Sequence, residues 1–481
     1  MKYKWTVLTV TTVGVLMSGI DSRIVIVGLP QVAAALNADA EEAIWLTQAY
    51  ALGSTIALLL IGRVTDMMGR VKVYNLGFAV FTVGSALTSL SSGPEMAIVF
   101  RGVQGLGSAM LFTNSIALIT DSTPAEELGL SLGVNQLAFR FGAMAGLTIS
   151  GVILALLDWR ALFYINVPIG IFGTVWARLR LKEMVQTEKE APFDWMGSVT
   201  FTVFITAFLF ALTYAAYGFS EDRTVFALSA MAVVSLVAFV WYEKKNRYPL
   251  LDLGLLRIRE FTGGVLAQLL NAIAWGAVIL LLSLYFQLVQ NLSPFDAGIR
   301  ILPFELAFLL LGPLSGRFSD KYGQMPFATT GLAVTSISLL LLSMTTPTTP
   351  YSSLAIMMAL MGAGTGLFSS PNISSIMGAV PPQRRGIASA FRATFFNVGM
   401  TISVNLAILI MASIIPYSVV STIISSVNPA TIPAVDRDLF SASLDRTYLW
   451  MAALNTLAML PSLLRGKRVN HGASSGAFAE A

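Results

Sequence analysis

The 481-residue chain has no cysteine and a single histidine, His471. Without cysteine there is no disulfide, thiol catalysis or Cys-ligated zinc, and the redox compartment leaves no trace in the sequence. His471 stands in the polar tail, which rules out histidine proton relays inside a membrane and leaves any buried proton chemistry to carboxylates. Charge is also scarce. Asp, Glu, Lys and Arg make up 12% of the chain and gather in short segments between apolar runs. The formal charge of +4 belongs to no basic cluster on a soluble module, so no nucleic-acid partner is expected. Nor is there a phosphate loop. The runs Gly105-Leu106-Gly107 and Gly362-Ala363-Gly364-Thr365-Gly366 follow no strand, and no Gly-x4-Gly-Lys-Ser/Thr occurs. They read as close helix packing, and an ATP-driven pump is disfavoured. No metal cluster, cofactor or nucleophile–base pair is expected, and so no enzyme.

What the chain has is apolar length. Hydrophobic residues make up 55% of it and the mean hydropathy is +0.73. About 20 apolar residues suffice for one helical crossing of a bilayer. Fourteen such stretches can be drawn, at 5–29, 43–61, 74–92, 95–119, 128–156, 161–180, 196–217, 224–242, 261–288, 296–315, 327–344, 350–377, 386–413 and 447–464. Lys2 and Lys4 before an apolar run, with Ala33-Ala34-Ala35 beyond it, resemble a secretory signal. Asp21 and Arg23 interrupt that run and many spans follow, so it reads as a retained first span. The segment 414–445 reads as the longest loop.

With the N-terminus inside, 21 of the 30 lysines and arginines fall on the inner side and 5 on the outer, the other four lying within spans. This bias predicts a multi-pass protein of the plasma membrane with both termini cytoplasmic. The chain also repeats. Gly62-Arg63-Val64-Thr65-Asp66-Met67-Met68-Gly69-Arg70 returns as Gly316-Arg317-Phe318-Ser319-Asp320-Lys321-Tyr322-Gly323-Gln324, each copy following the second span of a six-span block. Pro124, Gly129 and Gly142 match Pro381, Gly386 and Gly399 at one constant offset. The expected fold is therefore an all-α polytopic membrane protein of 14 transmembrane helices, two six-helix bundles with two extra helices between them. The expected units are 1–183, 184–250 and 251–481. Parallel repeats of this kind are the architecture of a transporter.

Several segments resemble the major facilitator superfamily, in particular its fourteen-span drug:proton antiporter branch. They are Asp21-Ser22-Arg23-Ile24-Val25-Ile26-Val27-Gly28-Leu29-Pro30, Trp45 to Tyr50 with Gly62 to Arg70, Arg101-Gly102-Val103-Gln104-Gly105-Leu106-Gly107, Trp159 to Gly170, Tyr285-Phe286-Gln287 and Ala297 to Pro303. One motif departs from the branch pattern. Where its fifth span carries Gly-Pro and then Gly-Gly, this chain has Gly146-Leu147 and Ser150-Gly151. The resemblance therefore supports the fold more firmly than it supports antiport.

Charges inside spans are costly, at least about 2.5 kcal/mol near the bilayer centre, and by default line a wet cavity and have a role. Here they are Arg23, Arg101, Arg140 and Arg392, with the acids Asp21 and Glu305. Asp21 and Arg23, two apart, should not pair. Arg23 lies six residues before Leu29 and could snorkel outward. Asp21 is the expected proton carrier and Glu305 the second candidate. Arg101 is the partner of Asp21 that the resemblance implies. Asn135 and Arg140 correspond in the repeat to Arg392 and Asn397. The resemblance implies that their spans face each other across a central cavity, so Arg140 and Arg392 are expected to be paired cavity residues at different depths. Gln268, Asn271 and Trp275 share a helix face suited to a ligand wall, although amides between membrane helices are often packing glue. Gly62, Asp66, Gly69, Arg70, Gly316, Asp320 and Gly323 read as a gating latch. In it the glycines turn the chain, Asp66 sits at a helix N-terminus and Arg70 meets Asp121, Glu126 or Glu127.

The leading expectation is a monomeric secondary active transporter that exports small amphiphilic organic compounds for protons by alternating access, in contact with membrane lipid. An importer or facilitator of organic anions is the alternative, and a non-transporting sensor or enzyme is less favoured. The usual substrates of the resembled branch are lipophilic cations. Four arginines against two acids disfavour a permanent cation here, and neutral or anionic amphiphiles are expected.

Overall fold

The computed structural model describes residues 3–184, 193–216, 223–246, 249–381, 385–416, 419 and 434–465, some of them by backbone alone. Among these there is no strand, and fourteen helices are long and apolar enough to cross a membrane. Span 1 is Tyr3–Ala35, span 2 Ala40–Gly62, span 3 Arg70–Ser89, span 4 Pro94–Ser122, span 5 Ser131–Leu156, span 6 Ala161–Arg180 and span 7 Trp195–Ala215. Span 8 is Arg223–Glu243, span 9 Arg259–Val289, span 10 Pro294–Ser319, span 11 Gln324–Leu342, span 12 Tyr351–Gly378, span 13 Ile387–Ala412 and span 14 Asp436–Leu464.

The internal repeat is reproduced as packing. Span 1 lies on 5 as span 9 lies on 13, spans 2 and 3 lie on 4 as 10 and 11 lie on 12, and 3 meets 6 as 11 meets 14. The glycine runs work as helix-packing surfaces. A Cβ on Gly105 would fall on the carbonyl oxygen of Tyr50 in span 2, and one on Gly362 on that of Phe304 in span 10. In lipid no hydrophobic force draws helices together, so close approach through small residues carries association. Gly105→Val should separate spans 2 and 4 at an overpacking cost of about 1–3 kcal/mol. A lowered thermal midpoint of the purified protein is expected, and an unchanged midpoint would contradict the contact.

The duplicated glycine motif is mostly helix rather than loop. The helix of span 2 runs on to Met68 and that of span 10 to Tyr322, and each is followed by one glycine before the next span. Gly69 and Gly323, with φ of 97° and 95°, are the glycines in the left-handed region among the described residues. A side chain there would be strained, whereas Gly62 and Gly316 are ordinary helical positions.

Two further expectations are corrected. Residues 434–445 are helical, so span 14 begins about eleven residues before the expected 447 and the segment 414–445 is not all loop. Asp436 in the first turn favours the helix start through the peptide dipole. Span 9 is not a uniform helix, since it breaks at Gly276–Ala277 and ends in a π-helical turn at Tyr285–Val289.

Between the bundles, span 5 packs on span 10 and span 13 on span 2. Span 5 is an unbroken helix whose Gly151 lies against Phe295 and whose Leu147 carbonyl meets Gly298. These contacts lie at the end of the molecule opposite Gly69 and Gly323, called here the far end. Gln48 and Asn405 exchange side-chain hydrogen bonds of 2.6 and 3.0 Å there, and Gln287 donates to the Val27 carbonyl at 3.0 Å. Leu29, Ile44, Ala277, Leu281 and Ile408 surround a cavity of about 10 Å³, apolar and at the lower limit for one water. The far end is thus shut by contacts between the bundles. Of the two inserted helices, span 7 lies over the seam of spans 2 and 13. Its Phe210 stacks on Trp45 at 4.5 Å and its Thr213 donates to Asn405 at 3.2 Å.

Candidate functional site

Two groups of polar side chains occupy the interior. The first lies wholly within spans 1 to 6. Arg101 donates from Nη1 to Asp21 Oδ2 at 2.6 Å, while Gln104 Nε2 and Asn166 Nδ2 donate to Asp21 Oδ1 at 2.8 and 2.9 Å. Both amides also reach Ser85 Oγ at 3.1 Å. Arg101 bonds in addition to the Leu46 carbonyl and Gln104 Oε1, with its guanidinium 4.5 Å over the Tyr50 ring. Asp21 is 0% and Arg101 2% exposed. Such a charge pair survives burial because its remaining donors and acceptors are satisfied. The expected Asp21–Arg101 partnership is therefore present. Gln104, Asn166 and Ser85 were missed as its second layer. Gln104 stands three residues after Arg101 on one helix face, which was a readable signal.

The second group spans the bundle interface. Arg23 does not snorkel outward. Its helix continues to Ala35, about 18 Å of rise beyond it, too far for the side chain to reach the surface. It lies 7% exposed with Nε 3.8 Å from Glu305 of span 10, its guanidinium 6.0 Å from the centre of the Trp275 ring. Trp275 neighbours Phe304 at 5.7 Å and Phe396 at 6.5 Å, and Phe304 neighbours Phe308 at 6.5 Å. Arg140 lies over Phe308 at 3.8 Å and is close enough to Glu305 and Arg23 to interact with both charges. First-bundle arginines thus face a second-bundle wall of aromatic rings.

This group is short of partners. Among the described residues both oxygens of Glu305 and Trp275 Nε1 are buried without a hydrogen bond, and elsewhere so are both amide atoms of Asn135, Gln268 Oε1 and Arg392 Nε. Buried polar groups are nearly always satisfied in a native structure, so a cluster of exceptions requires water or a ligand.

Other expected site residues sit elsewhere. Asn271 donates to Asn455 at 2.8 Å, and Asn455 binds the Leu332 carbonyl and Ser336, so Asn271 ties spans 9, 11 and 14 together instead of lining a ligand wall. Asn397 donates to the Ala393 carbonyl of its own helix. The repeat does not bring Arg140 and Arg392 together, because their spans have their principal interface neighbours in spans 10 and 2. The side chains of Asp66, Asp320 and Glu126 lie outside the described residues. Arg70 pairs with Asp121, and Glu183 caps span 3 by accepting from the backbone of Arg70 and Val71 at 3.0 Å each, in the role expected of Asp66. Glu127 pairs with Lys4. All these partners belong to the first bundle, so none of the contacts bridges the two.

The sequence model of the Major Facilitator Superfamily matches residues 11–402. The chain belongs to that superfamily. It is 32% identical over 402 residues to riboflavin transporter RibZ of Clostridioides difficile (strain 630), covering 84% of this chain and 87% of that one. It is 28% identical over 398 residues to multidrug resistance protein Stp of Mycobacterium tuberculosis (strain CDC 1551 / Oshkosh), covering 82% of this chain and 73% of that one. Among solved structures, an auto-inhibited POT family peptide transporter superposes with a TM-score of 0.68 over 98% of both chains at 15% identity, which shows the shared fold. As a member of the major facilitator superfamily, the protein is a multi-pass membrane transporter of small molecules.

Proposed function

We propose that this transporter exports small amphiphilic organic compounds in exchange for protons, by rocking of two bundles (1–183 and 251–481) joined by the unit 184–250. Asp21, buttressed by Arg101, carries the proton. Substrate occupies the interface group of Arg23, Arg140, Glu305 and Trp275, with Asn135, Gln268 and Arg392 beside it. Relatives named for multidrug resistance support export. The observation that carries the reading is the pairing of a fully satisfied buried carboxylate in one bundle with an unsatisfied polar group between the bundles. The first is a site where a proton can be taken up in place of the ion pair, and the second has room in its bonding for a guest. In this reading the protein is a monomer of the plasma membrane with cytoplasmic termini, performs no covalent chemistry, and needs only substrate, protons and lipid. The shut far end is, in this reading, the extracellular side.

Import or facilitated passage of organic anions is the second reading, favoured by the missing proline of span 5. The relative named as a riboflavin transporter extends it to neutral heterocycles. Flux into sealed vesicles of purified protein, with and without an imposed pH gradient, decides between them. Accumulation that requires the gradient is the expected result. Equilibration indifferent to the gradient would select the facilitator, and absence of flux would refute both.

A further inference from the structure

We infer that the substrate is a flat, conjugated ring system with carbonyl or anionic oxygens along its edge and no permanent positive charge, held by the N–H edges of Arg23 and Arg140 beside the rings of Trp275, Phe304 and Phe308. This rests on the transport reading above and adds the chemistry of the guest.

The argument begins with the guanidinium groups. Each offers five N–H donors in a plane. Yet among the described residues Arg23, Arg140 and Arg392 donate no hydrogen bond to the protein, in contrast to Arg101, whose donors reach three acceptors. Arg23 has only the 3.8 Å approach to Glu305, beyond hydrogen-bond range. Phe308 covers one face of Arg140 at 3.8 Å, so the N–H edge of that guanidinium is what remains for a ligand. Planar forks of this kind match carboxylates and paired carbonyl oxygens.

Charge sharpens the choice. Asp21 and Arg101 neutralise each other inside their own network, and Glu305 answers one of the two arginines beside it, Arg23 and Arg140. The interface group therefore carries a surplus of positive charge in surroundings where charge is poorly screened, which repels a cation and draws an electron-rich guest. Shape follows from the wall. Trp275, Phe304 and Phe308 form a continuous run of rings 5.7 and 6.5 Å apart, the spacing at which aromatic groups stack or meet edge to face. These rings are buried in the described conformation, so a guest meets them only as the bundles part, and a conjugated ring then covers more of them than a globular amphiphile does. Two further unpaired groups fit the same guest. Trp275 Nε1 can donate to a ring oxygen, and Glu305 can accept from a ring N–H.

The test is equilibrium binding to purified full-length protein in detergent, read by fluorescence polarisation. Fluorescein and rhodamine 6G share one flat xanthene core but differ in the sign of their charge. A competing non-planar anion, cholate, separates flatness from charge. The expected result is fluorescein binding at least tenfold tighter than rhodamine 6G and poor competition by cholate. Arg140→Gln should weaken fluorescein at least tenfold. Trp275→Leu should do the same, with Trp275→Phe retaining most of the affinity and showing that the site still folds. Equal or tighter binding of rhodamine 6G, effective displacement by cholate, or indifference of fluorescein to Arg140→Gln and Trp275→Leu would overturn the assignment. No gradient enters this measurement. Binding without vesicle flux would therefore defeat the transport reading alone, and gradient-driven flux of cations without fluorescein binding would defeat this inference alone.

Discussion

Asp21→Asn is expected to abolish pH-gradient-driven transport while leaving a protein that folds and can still exchange substrate down its own gradient. Asparagine keeps the size of the carboxylate but cannot exchange a proton. It also turns one oxygen into a donor that faces Arg101, Gln104 or Asn166, all of them donors to Asp21 in the native network. Arg101 keeps the Leu46 carbonyl and Gln104 Oε1, so its charge is not wholly abandoned. Removing one member of a buried ion pair costs about 3–5 kcal/mol, more than a hundredfold in an equilibrium at about 1.4 kcal/mol per tenfold. Those retained bonds place the folding loss toward the low end of that range, while the loss in coupling is complete. The measurement compares uphill accumulation with gradient-free counterflow in the same vesicles. Normal accumulation by Asp21→Asn would remove Asp21 from the proton path and pass that role to Glu305.

The second large effect is expected at the ion pair that crosses the interface. Glu305→Gln leaves Arg23 with Trp275 as its remaining close partner, and Arg23→Gln leaves the buried Glu305 carboxylate, already without a hydrogen bond, without its ion-pair partner. Each single variant should lower the thermal midpoint. The double variant should recover much of the loss, because neither charge is then stranded, with a coupling energy of about 0.5–3 kcal/mol for groups in contact. The pair joins span 1 to span 10, so it must part when the bundles rock. The natural absence of cysteine makes this readable. A single cysteine replacing Ile408, which lines the shut far end, should react faster with an impermeant maleimide when Glu305 is changed. Additive losses in the double variant, together with unchanged labelling, would show that the pair joins nothing of consequence.

The number of spans, their grouping and the repeat were legible because each follows from length and composition along the chain. A run of some twenty apolar residues admits almost no structure in lipid other than a helix, since every backbone donor and acceptor must find its partner within the segment. The identity of the charged residues committed to the interior was likewise readable, as was the role of Gly105 and Gly362 in close packing. Rotation and neighbours were not. The buried face of a membrane helix is no more apolar than its lipid face, so no stripe announces which side turns inward. Only the packed structure sent Arg23 to Glu305 rather than to the surface, gave Asn271 to Asn455, separated Arg140 from Arg392, and placed two phenylalanines, Phe304 and Phe396, beside Trp275. The chain by itself determined that a transporter-like bundle holds ionised groups in its interior. Tertiary packing decided which of them satisfy one another and which are left open to a guest, because hydrogen bonds and ion pairs depend on distances between helices that lie far apart in sequence.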